Sequence, residues 1–243
     1  MTTPPEPGVL PLWDKGWYRF AHHEVSPNFG PRPAGVVVDL VVLHSISLPP
    51  GQYGGDEVRQ LFTNTLDWGA HPYFGTIRGL EVSAHFFIRR NGDIWQFVSC
   101  DDRAWHAGRS HYRGRDNCND DSIGIELEGL EGDLFEPAQY EALGSLLPAM
   151  AQQYPLQYVA GHEHIAPGRK ADPGPGFDWA ALRRILPWPT GVFPAYSAPC
   201  IFLQNRSPHT ARLCRPKTLE SRALPSCRPL KAHQPMASGY AAS

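Results

Sequence analysis

The chain has no run of apolar residues long enough to cross a bilayer, so no helical membrane span and no membrane partner are expected. Its opening, MTTPPEPGVLPLWDKGW, lacks the basic start and apolar stretch of an export signal, which makes cytoplasmic residence the expectation. Charge of one sign is scarce as well. The 22 Lys and Arg nearly balance the 24 Asp and Glu, for a net charge of -2. Without a general basic field, nucleic acid is not expected as a partner. Cysteine is sparse: Cys100, Cys118, Cys200, Cys214 and Cys227 form an odd set with no CxxC spacing. That argues against a disulfide framework or a cysteine zinc knuckle and suits a reducing compartment. There is no HExxH either, so no helix-borne zinc motif is present.

What the chain does have is material for a core. Of its 243 residues, 42% are hydrophobic and 11% aromatic, unlike a disordered chain. GVVVDLVVLHS (35–45) is a β-branched run that reads as a buried strand with His44 at its C-terminal end. DEVRQLFTNTL follows, with Asp56 as expected N-cap of a helix. EVSAHFFIRRNGDIWQFVS places two strand-like runs around Asn91-Gly92, a pair suited to the positive φ angles of a tight hairpin. DSIGIELEG alternates Ile123, Ile125 and Leu127 against Gly124, Glu126 and Glu128, so the acids project from the face opposite the isoleucines.

EPAQYEALGSLLPAMAQQYP predicts a helix with Pro137 in its first turn, kinked or shortened at Pro148. LQYVAGH is a short strand leading into GHEHIAPGRKADPGPGFDW (161–179), too rich in Gly and Pro for regular structure. Asp178 caps a last helix that stops at Pro187. Strands and helices alternate irregularly around one hairpin. The expected fold is therefore a single α/β domain, a central mixed β-sheet flanked by α-helices. Its bounds are drawn at 10–188, after an N-terminal arm at 1–9. The Pro- and Gly-rich stretch as far as residue 35 is expected to lie on the core without regular structure. Residues 189–243, with scattered Pro, Ser and Arg and no periodicity, read as an irregular, poorly ordered tail or sequence unrelated to the domain core.

The chemistry-bearing residues collect at strand ends. Zinc hydrolases use about three protein ligands and leave a position for water. His44, His162 and Asp172, two strand ends and an adjoining loop, can converge above a sheet edge; histidines at strand ends also serve simply as polar surface. His164 is a rival ligand, because in HEH on an extended segment it would point the same way as His162. Lys170 could carry a cation to an oxyanion or be a solvated lysine. Glu126 could take a proton from water, with Glu128 competing for that role. His85, among apolar neighbours, reads as a hydrogen-bonded core histidine. Trp105 and His106 in RAWHAGRS suit a sugar or peptide groove, or a packing tryptophan with its neighbour.

Together, VVLHSISLPPGQYGG, VSAHFFIRRNGDIWQFV, RAWHAGRSHYRGRDNCNDDSIGIELEG and GHEHIAPGRKADPGPGFDW resemble the zinc-dependent N-acetylmuramoyl-L-alanine amidases, in order and setting. The likeness is greatest to the cytoplasmic AmpD-type branch, which acts on anhydro-muropeptides in cell-wall recycling, and it spans residues 10–188. The resemblance implies Zn2+ on His44, His162 and Asp172, Glu126 assisting the water, and Lys170 stabilising the tetrahedral intermediate. It implies an anhydro-muropeptide as the small-molecule substrate, with Ser45, Trp105 and His106 among its contacts; a monomer is expected. Ser45 stands where close relatives carry Asn, Glu81 and Asn117 stand in place of basic residues, and His164 stands in place of Asp. These departures bear on specificity, not on the ligands. The other readings are a peptidoglycan-binding module without catalysis, or an extracellular wall amidase.

Overall fold

The computed structural model describes residues 11–194; the expectation for residues 1–9, and that for the tail beyond residue 194, lie outside the described residues. In chain order the principal elements begin with β1 (His22–His23), β2 (Leu40–Ile46), α1 (Glu57–Phe62) and α2 (Pro72–Thr76). Then come β3 (Phe86–Ile88), β4 (Ile94–Gln96), β5 (Ser122–Glu128) and α3 (Pro137–Gln153), followed by β6 (Tyr158–Gly161), α4 (His162–Ile165) and α5 (Trp179–Ile185). The strands form one six-stranded sheet in the order β6-β2-β5-β3-β4-β1. The pairs β6/β2, β2/β5, β5/β3 and β4/β1 are parallel, and the β3/β4 hairpin is antiparallel. This is the expected mixed sheet with flanking helices.

Strand alternation sorts the two faces of the sheet. Val41 and Leu43 of β2 join Ile123, Ile125 and Leu127 of β5 in one core with Leu143, Leu146, Leu147 and Met150 of α3. Leu40 and Val42 turn the other way, onto Ala107, Cys118, Ala160 and Ile165. Each such buried aliphatic side chain contributes about 1.5–3 kcal/mol. A one-residue slip of β2 would carry every one of these side chains, and His44 with them, to the wrong face.

Local details depart from the sequence reading in several places. The stretch before residue 35, expected without regular structure, supplies β1, whose His22 and His23 pair with Trp95 and Gln96, and the Gly- and Pro-rich run from residue 161 opens with α4. α3 does not end at Pro148 but runs on to Gln153. The ring forfeits one hydrogen bond, but buried residues on both sides of it, Leu147 and Met150, anchor the helix against the sheet. In the hairpin only Gly92 takes a positive φ, +90°, and Arg89 N–H bonds the Asp93 carbonyl at 3.0 Å across a three-residue loop. Asp56 precedes α1 without capping it, because its carboxylate is taken by Arg59 and Arg89. Packed structure also continues past residue 188: Trp188 stacks on Phe193, which is buried in the α3 core. The Asp178 cap is as expected, with its Oδ1 accepting from the Ala180 and Ala181 N–H groups at 2.9 Å each.

Candidate metal centre

β2 carries His44 on the face away from α3, near the C-terminal end of the strand. β6 lies beside it in parallel and stops at Gly161, after which the chain turns into α4 with His162 as its first residue. The loop beyond α4 folds back: Arg169 and Lys170 N–H bond the Ala166 carbonyl, and Glu163 N–H bonds the Asp172 carbonyl at 2.9 Å. That last bond brings Asp172 against His162. His44 Nδ1, His162 Nδ1 and Asp172 Oδ2 consequently form a triangle with edges of 2.9, 3.1 and 3.2 Å. All three residues are buried. Among the described residues they are the group of His, Cys, Asp or Glu whose donor atoms converge as metal ligands would.

The donor set fits a zinc ion. Ligand atoms on a tetrahedral zinc stand roughly 3.3 Å apart, close to the observed edges. His162 Nε2 faces the Ala107 carbonyl at 3.1 Å, nearer than the Arg169 guanidinium at 3.4 Å, and a carbonyl only accepts, so the shorter contact puts the proton on Nε2 and leaves Nδ1 bare. A bare nitrogen and a carboxylate oxygen at 3.1 Å in a buried site call for a cation between them. Two imidazoles and one carboxylate also match catalytic rather than structural zinc sites, which keep a position open.

The charges are tuned by the same crowding. Burial pushes the His44 pKa down to about 4, and His162 adds to the effect. Burial alone would raise Asp172, but the His162 and His44 imidazoles that face its carboxylate outweigh it and hold the carboxyl well below the usual range. Glu126 projects from β5 on the His44 side. Burial, with Asp172 nearby, raises its pKa well above that of an ordinary glutamate, while Lys170 pulls it back. Its Oε1 lies 4.0 Å from His44 Nδ1. Burial lowers the Lys170 pKa, and its attraction to Asp172 and Glu126 places the ammonium in the same field.

Glu128, the rival to Glu126, is otherwise engaged. Its two oxygens accept from the Gly54 N–H at 2.5 Å and the Arg90 N–H at 2.9 Å, holding two loops together. His164 lies outside this triangle. Because residues 162–165 are helical, not extended, it turns away from His162, accepts from the Gly161 N–H at 2.9 Å and packs edge-on against Trp179. His85 is the hydrogen-bonded core histidine expected: it is 0% exposed, and its Nδ1 accepts from the Gly124 N–H at 2.9 Å.

Of the three expected substrate contacts, His106 lies elsewhere. It is buried behind the His44, His162 and Asp172 triangle with Nδ1 2.9 Å from His44 Nε2, so it touches the back edge of His44 and not a groove. Ser45 pairs across the sheet with Leu127, and alternation turns it from the His44 face. Trp105 is partly exposed, and its backbone is pinned by Ser83. The sequence reading passed over Arg169. Its guanidinium donates to the Ala107 and Arg109 carbonyls at 2.8 and 2.7 Å and ties the 107–109 segment to the 161–172 loop. It also passed over Glu131 and Glu163, both raised in pKa, by burial first and by Asp172 second. Glu131 has no local signature, because it reaches the centre only through the fold, whereas Glu163 stands beside His162 in the chain.

Comparison with known proteins gives the same picture. Residues 34–175 match the family described as N-acetylmuramoyl-L-alanine amidase. The chain is 50% identical over 177 residues to the 1,6-anhydro-N-acetylmuramyl-L-alanine amidase AmpD of Citrobacter freundii, covering 72% of this chain and 95% of that protein. Against the AmpD of Escherichia coli (strain K12) it is 49% identical over 177 residues, covering 72% and 97%. The crystal structure of a selenomethionine AmpD derivative superposes with a TM-score of 0.69 at 49% identity, over 73% of this chain and 99% of that one.

Proposed function

The chain belongs to the N-acetylmuramoyl-L-alanine amidase family and is an amidase of the anhydro-muramyl type, and we propose that His44, His162 and Asp172 hold the zinc ion on which its hydrolysis depends. The bond cleaved joins the lactyl carbonyl of (1,6-anhydro-)N-acetylmuramic acid to L-alanine of the stem peptide. The observation that carries the metal assignment is the triangle of converging donors with edges of 2.9–3.2 Å.

When bound, zinc supplies Lewis-acid chemistry, lowering the pKa of a water ligand to about 7 and polarising the amide carbonyl. The protein does the rest. Glu126 holds the attacking water by its carboxylate, takes its proton, and returns a proton to the departing alanine nitrogen. Its second oxygen, Oε2, is buried with no protein partner, so it is available to a water or an amine. Lys170 donates to the oxyanion as the carbonyl becomes tetrahedral. Burial of the ligands and of Glu126 keeps bulk water from screening these charges. Trp105, partly exposed, offers an apolar face to the sugar or peptide.

The domain that does this is residues 10–188, with its packing extended to Phe193. Its place is in recycling of muropeptides in the cytoplasm. No helix among the described residues is long and apolar enough to cross a membrane. A binding module without catalysis would not need the His44, His162 and Asp172 triangle together with Glu126 and Lys170 beside it, and this supports the catalytic reading. Purified protein offered anhydro-muropeptides and intact sacculi in parallel, with products read by mass spectrometry, tests the reading. Free stem peptide from the anhydro-muropeptide is expected. Release from sacculi alone would move the enzyme to the wall.

A further inference from the structure

The back edge of His44 rests on a chain of side chains whose direction is set at its far end. His44 Nε2 lies 2.9 Å from His106 Nδ1, and His106 Nε2 lies 3.1 Å from Ser122 Oγ. Ser122 Oγ is hydrogen-bonded in turn to the Cys118 carbonyl. A carbonyl oxygen only accepts, so the hydroxyl proton points at Cys118. The hydroxyl then meets His106 with its lone pairs, which places the His106 proton on Nε2. A neutral imidazole with Nε2–H has a bare Nδ1, and that nitrogen accepts from His44 Nε2–H. His44 is left with a bare Nδ1 aimed at His162 and Asp172.

The other tautomer would close the site on itself. With a proton on Nδ1, His44 would donate to Asp172 Oδ2 at 3.2 Å or His162 Nδ1 at 2.9 Å, and its own lone pair would no longer face an ion. We propose that His106 and Ser122 are positioning residues, holding His44 in the tautomer whose Nδ1 lone pair faces the metal, with the Cys118 backbone carbonyl as the fixed reference. The proposal rests on the reading of His44, His162 and Asp172 as zinc ligands.

Packing supports the chain at each link. Ser122, Gly124 and Glu126 share one face of β5. A Cβ on Gly124 would stand 2.5–2.7 Å from three His106 ring atoms, so the imidazole lies directly on the bare backbone of the strand. Asn119 Oδ1 accepts from both the His106 N–H at 3.0 Å and the Ala107 N–H at 2.7 Å, fixing the backbone from which the ring projects. His106 is 9% exposed and Ser122 0%, so water does not compete for either. One strand thus supplies the anchor, the floor and the proposed general base.

The test is zinc affinity, measured by chelator competition on full-length wild type, His106→Leu, His106→Asn and Ser122→Ala. Asn keeps an acceptor oxygen near the position of Nδ1, whereas Leu keeps bulk without one. The Leu variant is expected to bind zinc about 10–100-fold more weakly, as loss of a ligand's hydrogen-bond partner does. Asn should remain within about threefold of wild type, with Ser122→Ala between the two. KM at saturating zinc should stay at the wild-type value in all, since His106 lies behind the ligand. Equal zinc binding by Leu and Asn overturns the proposal, whether both match wild type or both weaken alike. If the Leu variant does not fold, nitrogen-15 spectra of zinc-loaded wild type decide. They should show His106 protonated on Nε2, and a proton on Nδ1 overturns the assignment. Failure of wild type itself to bind zinc would instead remove the metal reading beneath it.

Discussion

Glu126 and His44 are direct partners across the parallel β5/β2 pair, with Glu126 Oε1 4.0 Å from His44 Nδ1. The proposed base and one proposed metal ligand therefore share a rung of the sheet, and neither can move without the strand that carries it. A site on rigid strands holds its geometry better than one on loops. The loop residues Lys170 and Asp172 are brought to this fixed pair by backbone bonds within the 161–172 segment.

Glu126→Gln preserves shape and removes the base. Turnover should fall about 10²–10⁴-fold while zinc affinity stays within a few-fold. Because the carboxylate is buried with one oxygen unpartnered, thermal stability should be equal or higher in the variant. Calorimetry beside a kinetic assay reads both effects; a variant that keeps full turnover would remove Glu126 from the mechanism.

Lys170→Ala takes away the cation at the oxyanion. The expected loss is about 10²–10³-fold in kcat with zinc retained. If the damage falls on KM with kcat unchanged, the lysine binds ground-state substrate instead.

His85 makes stability pH-dependent away from the metal. Burial, with Arg32 next in effect, pushes its pKa down to about 3. Unfolded, it takes up a proton near pH 6.5, so the unfolded state is favoured as pH falls below that value, and the loss is complete below about pH 3. At pH 5 this one group costs about 2 kcal/mol. His85→Asn, which retains an acceptor for the Gly124 N–H, should lower stability at pH 7 and lose less than wild type between pH 7 and pH 5. Urea unfolding of the zinc-loaded proteins at both pH values would contradict this if the two chains fell in parallel.

Gly124→Ala thrusts a methyl group into the His106 ring. Overpacking of this kind costs about 1–3 kcal/mol. Because the displaced ring holds His44, zinc affinity should fall together with stability. Destabilisation with wild-type zinc binding would show that the ring shifts without disturbing the ligand.

How much of this was legible in the sequence depended on how local each signal is. His44 and His162 could be placed because β-branched runs and a Gly- and Pro-rich loop mark where strands end. The position of the hairpin, the start of α3 at Pro137 and the Asp178 cap rest on short-range patterns and appear where expected. Period-two alternation put Glu126 and Glu128 on one face but could not choose between them. The choice follows from Gly54 and Arg90, distant in the chain, which occupy Glu128 alone. His106 was misplaced for a similar reason. Past a two-residue strand at Arg103–Ala104, RAWHAGRS has no regular structure, and its histidine is located by Asn119, Ser122 and the missing side chain of Gly124. His164 could be weighed as a rival ligand only by taking HEH as extended, whereas the chain turns helical at His162.

Zinc readdition to exhaustively chelated enzyme, followed by release of stem peptide from an anhydro-muropeptide, addresses the central assignment most directly. Wild type should be inactive after chelation and regain activity in proportion to added zinc, saturating near one ion per chain. Asp172→Ala should bind none and stay inactive at any zinc concentration tested. Undiminished hydrolysis by chelated wild type, or by metal-free Asp172→Ala, would contradict the account.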